Sequence, residues 1–292
     1  MTGKEIKIIK EKQVFIEDGF ELTNPSKYCI SVELGTTHLN YAVFDPVSRF
    51  LKICGKIIFE FNEKKDAYAA LFSDIVSETG VIQSGYHAAY VTWNKPRATL
   101  VPLSFYSENN KSQLLSFNNS DSGHGKILSD DVRGSDIKVI YSIPEPIKIF
   151  FDTHLSNHRL KHISTSLLEG QFIQHPRNQE RKVFLNINAG NFNLLLIDQR
   201  GLRFFNTFDY QNTEDIIYYT LFAMEQNQFD VQKDKVIVAG EIEAGSGSHQ
   251  LLDNYIQHLE FAVSDKSIIR GNGMLQMPHH FFYNTLNRFV CG

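Results

Sequence analysis

Three histidines, His154, His158 and His162, stand four residues apart. On a helix that spacing places three imidazoles on one face, where they could ligate a divalent metal. No carboxylate is interleaved in the His-Glu-x-x-His manner, so a solvated or interlobe face is the plainer expectation. His279-His280 adds two rings, but neighbours on an extended segment point to opposite sides and no third ligand stands close by in sequence. Ser122-Gly123-His124-Gly125-Lys126 has the composition of a phosphate loop. The Gly-x-x-x-x-Gly-Lys spacing fails, because Ser120 occupies the place of the first glycine. Asn109 to Gly134, rich in Asn, Ser, Asp and Gly, reads as a flexible insertion. Cys29, Cys54 and Cys291 lack CxxC spacing, and the first two lie in apolar runs, as core cysteines do. No Gly-x-Ser-x-Gly or Cys/His nucleophile arrangement is present.

The elements that would position these groups repeat. Tyr28–Val32 reads as a buried strand ending in the polar turn Glu33-Leu34-Gly35-Thr36-Thr37. His38–Phe44 resumes as a second strand, Asp45-Pro46-Val47-Ser48 turns, and a third strand begins at Phe50. Tyr68, Leu71, Phe72, Ile75 and Val76 then recur at helical spacing until Gly80. The second half follows the same order. Val183–Ile187 is a strand ending at Asn188-Ala189-Gly190-Asn191, Phe192–Ile197 the next, and Leu202–Phe208 the third after Asp198-Gln199-Arg200-Gly201. Asn212-Thr213-Glu214-Asp215 opens a helix to about Gln226, with acids where the helix dipole favours them. Lys235–Ala239 is a strand ending at Gly240. Such a period is too long for a solenoid and marks one α/β lobe drawn twice. The expected division is a polar extension over 1–26, a first RNase H-like lobe over 27–165 (loop-rich at 107–136) and a second over 166–292.

Composition limits the function. The 292 residues are 42% hydrophobic and 21% charged with a net charge of -4, which excludes a disordered chain and a global basic field for nucleic acid. No apolar run reaches the length of a transmembrane helix, and the start carries no apolar signal region, so a cytoplasmic location is expected.

Two three-strand meanders, each with a glycine in its first hairpin, resemble the actin-like ATPase superfamily of actin, the Hsp70 chaperones and the sugar kinases. More narrowly, Thr99-Leu100-Val101-Pro102, Leu202, Asn206-Thr207-Phe208, Asp215, Tyr218-Tyr219, Gly240-Glu241-Ile242, Tyr255-Ile256 and Cys291 resemble an uncharacterised bacterial family with that fold and no assigned activity. The chain is also similar to cytoplasmic actin-like scaffolds of pilus and secretion machines. The resemblance implies mixed β-sheets flanked by helices. It also implies phosphate-binding hairpins, each opened by Asp-x-Gly, that serve ATP and Mg. Here Glu33 and Asn188 stand at the two Asp positions. Glu33 could still order metal-bound water, whereas Asn188 brings no charge. The adenosine strand has the single glycine Gly240, with Glu241 in place of a second.

Glu33, Gly35, Thr36, Thr37, Asn188, Gly190 and Gly240 are therefore the candidate nucleotide-binding remnant. Phe205, Phe208, Tyr218 and Tyr219 are candidate interface residues for a protein partner that the sequence does not name. The expected protein is a non-catalytic cytoplasmic protein-binding scaffold or regulatory module with a degraded nucleotide site, for which no cofactor or metal is assigned. The alternative is a member that still binds or hydrolyses ATP with Mg.

Overall fold

The computed structural model describes residues 9–60, 67–118, 125–174 and 181–291. Strands β1 (Ile9–Ile16), β2 (Cys29–Leu34), β3 (His38–Phe44) and β4 (Leu51–Phe59) lead into helix α1 (Ala67–Thr79). Strand β5 (Ala88–Trp93) is followed by β6 (Ala98–Pro102), α2 (Lys111–Asn118), β7 (Lys126–Asp131), β8 (Ile137–Ile143), α3 (Glu145–His154) and β9 (Arg159–His162). Helix α4 (Ile163–Gln174) carries the chain to β10 (Lys182–Asn188), β11 (Asn191–Asp198) and β12 (Gly201–Asp209). Then come α5 (Thr213–Gln226), β13 (Lys235–Gly240), α6 (Gly247–Tyr255), β14 (Leu259–Phe261) and the closing helix α7 (Tyr283–Cys291). Ser122 to His124 and the Cys291 side chain lie outside the described residues.

Two large sheets have the same wiring. The first runs β1-β4-β3-β2-β5-β9 and the second β12-β11-β10-β13-β14. In each, a meander of three antiparallel strands is joined by a strand parallel to its first member, β5 beside β2 and β13 beside β10. Helical crossovers make such parallel neighbours possible. A smaller sheet, β6-β8-β7, interrupts the first unit. Strand β7 and helix α2 fall in the stretch read as loop-rich, while β6 and β8 flank it, and β8 offers an apolar strand on which both β6 and β7 pair.

The apolar positions set the packing. Leu71 and Ile75 of α1 are buried in the first core, and Phe72 stacks on Phe150 of α3 at 4.1 Å. On the second sheet, Val183, Leu185 and Ile187 bury against Ile216, Ile217 and Met224 of α5. That helix opens with a capping box between Asn212 and Asp215, which satisfies its first amide groups. Ser164, Thr165 and Ser166 of α4 are buried, and α4 packs closely on α7.

Two sequence expectations change. Within the polar extension, Ile9–Ile16 forms an edge strand on β4, pairing Phe15 with Cys54. Its lysines suit an edge, where charge discourages further pairing. The three histidines do not share a helix face. Helix α3 stops at His154, Asn157 adopts φ +57°, His158 lies in the turn and His162 ends β9. Asparagine tolerates this left-handed conformation, so the chain turns before a second helical repeat forms. Each ring instead meets a local partner, Phe150 O, Leu155 O and Ser164 Oγ respectively.

Lys182 opens β10 with 5% of its surface exposed, and its Nζ has no hydrogen-bond partner among the described residues. Burial lowers its pKa from 10.5 to about 7. Between those values the unfolded chain binds a proton that the folded chain releases, so folding becomes more favourable as pH rises through the window. The full cost stands below it. Lys182→Met is expected to stabilise the protein by about 2 kcal/mol at mildly acidic pH. The gain should shrink above the upper pKa; urea midpoints at the two pH values measure it.

Candidate functional site

Polar residues on inward positions of apolar strands form two facing rows. In the first sheet the register sets Thr92, Glu33, Asn40 and Lys56 side by side across β5, β2, β3 and β4. In the second it sets Asn186, Asn193 and Thr207 across β10, β11 and β12. This second row is hydrogen-bonded. Asn186 Nδ2 donates to Asn193 Oδ1 at 3.0 Å, and Asn193 Nδ2 donates to Thr207 Oγ1 at 2.9 Å. Cross-strand pairs of this kind lock register on a face that cannot hydrate.

The rows meet at the carboxyl ends of the parallel strands, where open α/β sheets place their ligands. Asn94 directly follows β5, and its backbone N–H donates to Leu34 O at 2.9 Å. Its Nδ2 donates both to Glu33 Oε1 at 2.7 Å and to Asn188 Oδ1 at 3.0 Å. One amide therefore ties the first sheet to the second. Glu33, 2% exposed, also accepts from Thr285 Oγ1 of α7 at 3.2 Å. Asn284, beside Thr285, donates to Asn186 Oδ1 at 2.8 Å. Tyr210 donates its hydroxyl to Asn188 O at 2.7 Å, and burial pushes that hydroxyl's pKa up.

A second link lies alongside. Glu241 Oε1 accepts from Lys56 Nζ at 2.9 Å and sits 3.6 Å from His38 Nδ1. His38 Nε2 lies 3.7 Å from Glu33 Oε1, so the imidazole stands between two carboxylates. The ring packs onto the hairpin backbone; a Cβ at Gly35 would lie 2.3 Å from it. Gly240 has φ +89°, and a Cβ there would lie 2.0 Å from the Ile187 carbonyl oxygen. The close approach of β13 to β10 aims Glu241 across the gap, its own N–H donating to Ile187 O at 2.8 Å. Outside Lys56 and Glu241 opens a cavity of about 690 Å³, with Glu11, Glu243, Ser246 and His280 also in its lining. Among the described residues no three His, Cys, Asp or Glu side chains gather as a metal-ligand set.

The structure brings Glu33 and Asn188 onto one amide and holds Gly35 and Gly240 against neighbouring atoms. Thr36 is exposed at the hairpin tip, and Thr37 contributes its carbonyl, accepting from Phe59 N at 2.8 Å. Gly190 lies at the exposed tip of the β10–β11 hairpin with φ +82° and nothing near its missing Cβ. The four interface candidates separate. Phe208 stacks on Tyr219 at 4.5 Å, and Tyr219 meets Tyr218, which is 63% exposed. Phe205 points to the opposite face of β12 and packs against the first core.

Sequence reasoning missed Asn94, His38, Lys56, Thr285 and the asparagine row. His38, Lys56 and the asparagine row left a signal, a polar residue in a strand whose neighbouring positions are apolar, whereas Asn94, just after β5, and Thr285, on helix α7, left none. The helix α7 was also legible in the spacing of Tyr283, Leu286 and Phe289.

A crystal structure from Bacteroides thetaiotaomicron, described as a protein with an actin-like ATPase fold and unknown function, is 16% identical. The match spans 94% of this chain and 99% of that one, with a TM-score of 0.74. The PilM–PilN type IV pilus biogenesis complex matches at 13% identity over 91% of this chain and 98% of that one, with a TM-score of 0.56. The fold is the actin-like ATPase fold, as the duplicated meanders led us to expect. No curated protein matches the chain. Among the described residues no helix is long and apolar enough to cross a membrane. The model of a family of unknown function, DUF3822, matches residues 17–259, and the chain belongs to that family.

Proposed function

We propose that this protein is a non-catalytic member of the actin-like fold that works by binding another protein, with its cleft held together by its own side chains. The observation that carries this reading is the Asn94 bridge. The carboxylate and amide at the two positions that the resemblance reserves for metal and phosphate chemistry are hydrogen-bonded to one donor at 2.7 and 3.0 Å. A phosphate chain and its metal would have to break both bonds. Phosphoryl transfer further needs concentrated positive charge. The cavity beside Lys56 instead carries Glu11, Glu241 and Glu243, and Glu241 already neutralises Lys56. The residues present do not fit Mg-ATP.

Its likeness to PilM, whose structure is a complex with PilN, supports a partner-binding role in kind and names no partner. The mild negative charge argues against a nucleic-acid partner, and a cytoplasmic setting fits this proposal.

Thermal unfolding with millimolar Mg-ATP tests it. A nucleotide at about 100 times its Kd would stabilise the fold by about 2.7 kcal/mol. We expect no shift in Tm. A clear shift that Glu33→Ala abolishes would overturn the reading in favour of the ATP-binding alternative.

A further inference from the structure

Strand β12 is the last strand of its sheet, and β6 the last of the small sheet. Both line one groove of about 460 Å³, through Ala98, Thr99 and Leu100 on one wall and Phe205, Thr207 and Asp209 on the other. Backbone bonding shows which groups face it. The Thr207 N–H is taken by Asn206 Oδ1, its neighbour's side chain, at 2.9 Å, while Tyr210 N turns inward to Gly190 O at 3.0 Å. Backbone groups alternate along an antiparallel strand, so those of Phe205, Thr207 and Asp209 point away from β11. On β6, Leu103 N donates to Asp136 O at 2.8 Å, which turns Ala98 and Leu100 outward by the same alternation. Pro102, the next outward residue, has no N–H, as suits an edge. Among the described residues neither outer edge pairs with another strand.

We propose that this groove takes an extended segment of a partner protein, which adds to the β12 edge as a further strand. The inference rests on the protein-binding reading above and locates its site. Outward ladder groups that pair with no strand among the described residues select an extended backbone, and Phe205 and Leu100 receive apolar side chains at alternate positions. The five residues from Phe205 to Asp209 match an incoming stretch of about five residues at roughly 3.3 Å each. β6 stands opposite as the other wall of the groove, so the segment lies between two strand edges. Asn206 covers the Thr207 amide until the segment displaces it.

A random-peptide display library selected against the full chain tests this. Thr207→Pro removes an outward N–H and keeps the backbone ladder to β11, though it also removes the Oγ1 that accepts from Asn193, so N-methylation of alternate peptide amides probes the same bonds with the protein unaltered. Enriched peptides are expected to lose at least about tenfold in affinity from either change, with no loss from Phe222→Ala on α5. An empty selection, peptides insensitive to N-methylation in both alternations, or self-association of the chain blocked by Thr207→Pro would overturn the proposal. Peptides that depend on Tyr218 and Phe222 would overturn the groove while leaving the protein-binding reading intact; a Glu33-dependent Mg-ATP shift would overturn that reading itself.

Discussion

Gly240→Ala is expected to lower stability by about 4 kcal/mol, and Tm by about 10 °C. Two costs combine. The residue sits at φ +89°, where an L side chain is strained, and the new Cβ would lie 2.0 Å from the Ile187 carbonyl oxygen. That oxygen accepts from Glu241 N, so relief by movement would part β13 from β10 where Asn188 and Glu241 project. The loss should therefore appear both in the denaturant midpoint and as faster amide exchange at Glu241. Gly190→Ala is the control. Its φ is +82° but nothing lies within 4 Å of the new atom, so only the conformational cost of about 1 kcal/mol remains. Equal losses at the two glycines would show that the contact with Ile187 is unimportant.

Asn94→Leu is expected to cost about 3 kcal/mol. The change nearly preserves volume but removes the donor shared by Glu33 and Asn188, leaving a carboxylate that is 2% exposed with hydrocarbon against it. Charge makes the difference testable. In a Glu33→Gln background the same substitution strands an amide instead of an anion, and its cost should fall by about 1–2 kcal/mol in a double-mutant cycle. Amide protection should fall in both hairpins, Gly35–His38 and Asn188–Asn191, because one side chain joins the sheets. Additive effects of the two substitutions would remove Asn94 from its bridging role.

Much of the fold was legible because strands announce themselves through local pattern. β10, β11 and β12 and helix α5 were expected within a residue or two, and the capping sequence Asn212 to Asp215 marked the helix start. Edge elements were harder to see. β1 is held by its pairing with β4, and β7, with helix α2, forms in a stretch whose composition reads as loop. The histidine series failed for a local reason, a left-handed Asn157 that breaks the repeat.

From the sequence alone, the duplication was determined, and with it the two hairpins that carry Glu33 and Asn188. Periodicity is local, and two copies of one pattern demand two copies of one lobe. What only the tertiary structure decided is the use of those hairpins. Asn94 lies 61 positions from Glu33 and 94 from Asn188, and Thr285 lies 252 from Glu33. Hydrogen bonds at such separations leave no trace in local spacing, because they exist only after the two sheets close on each other and exclude water from the groups between them.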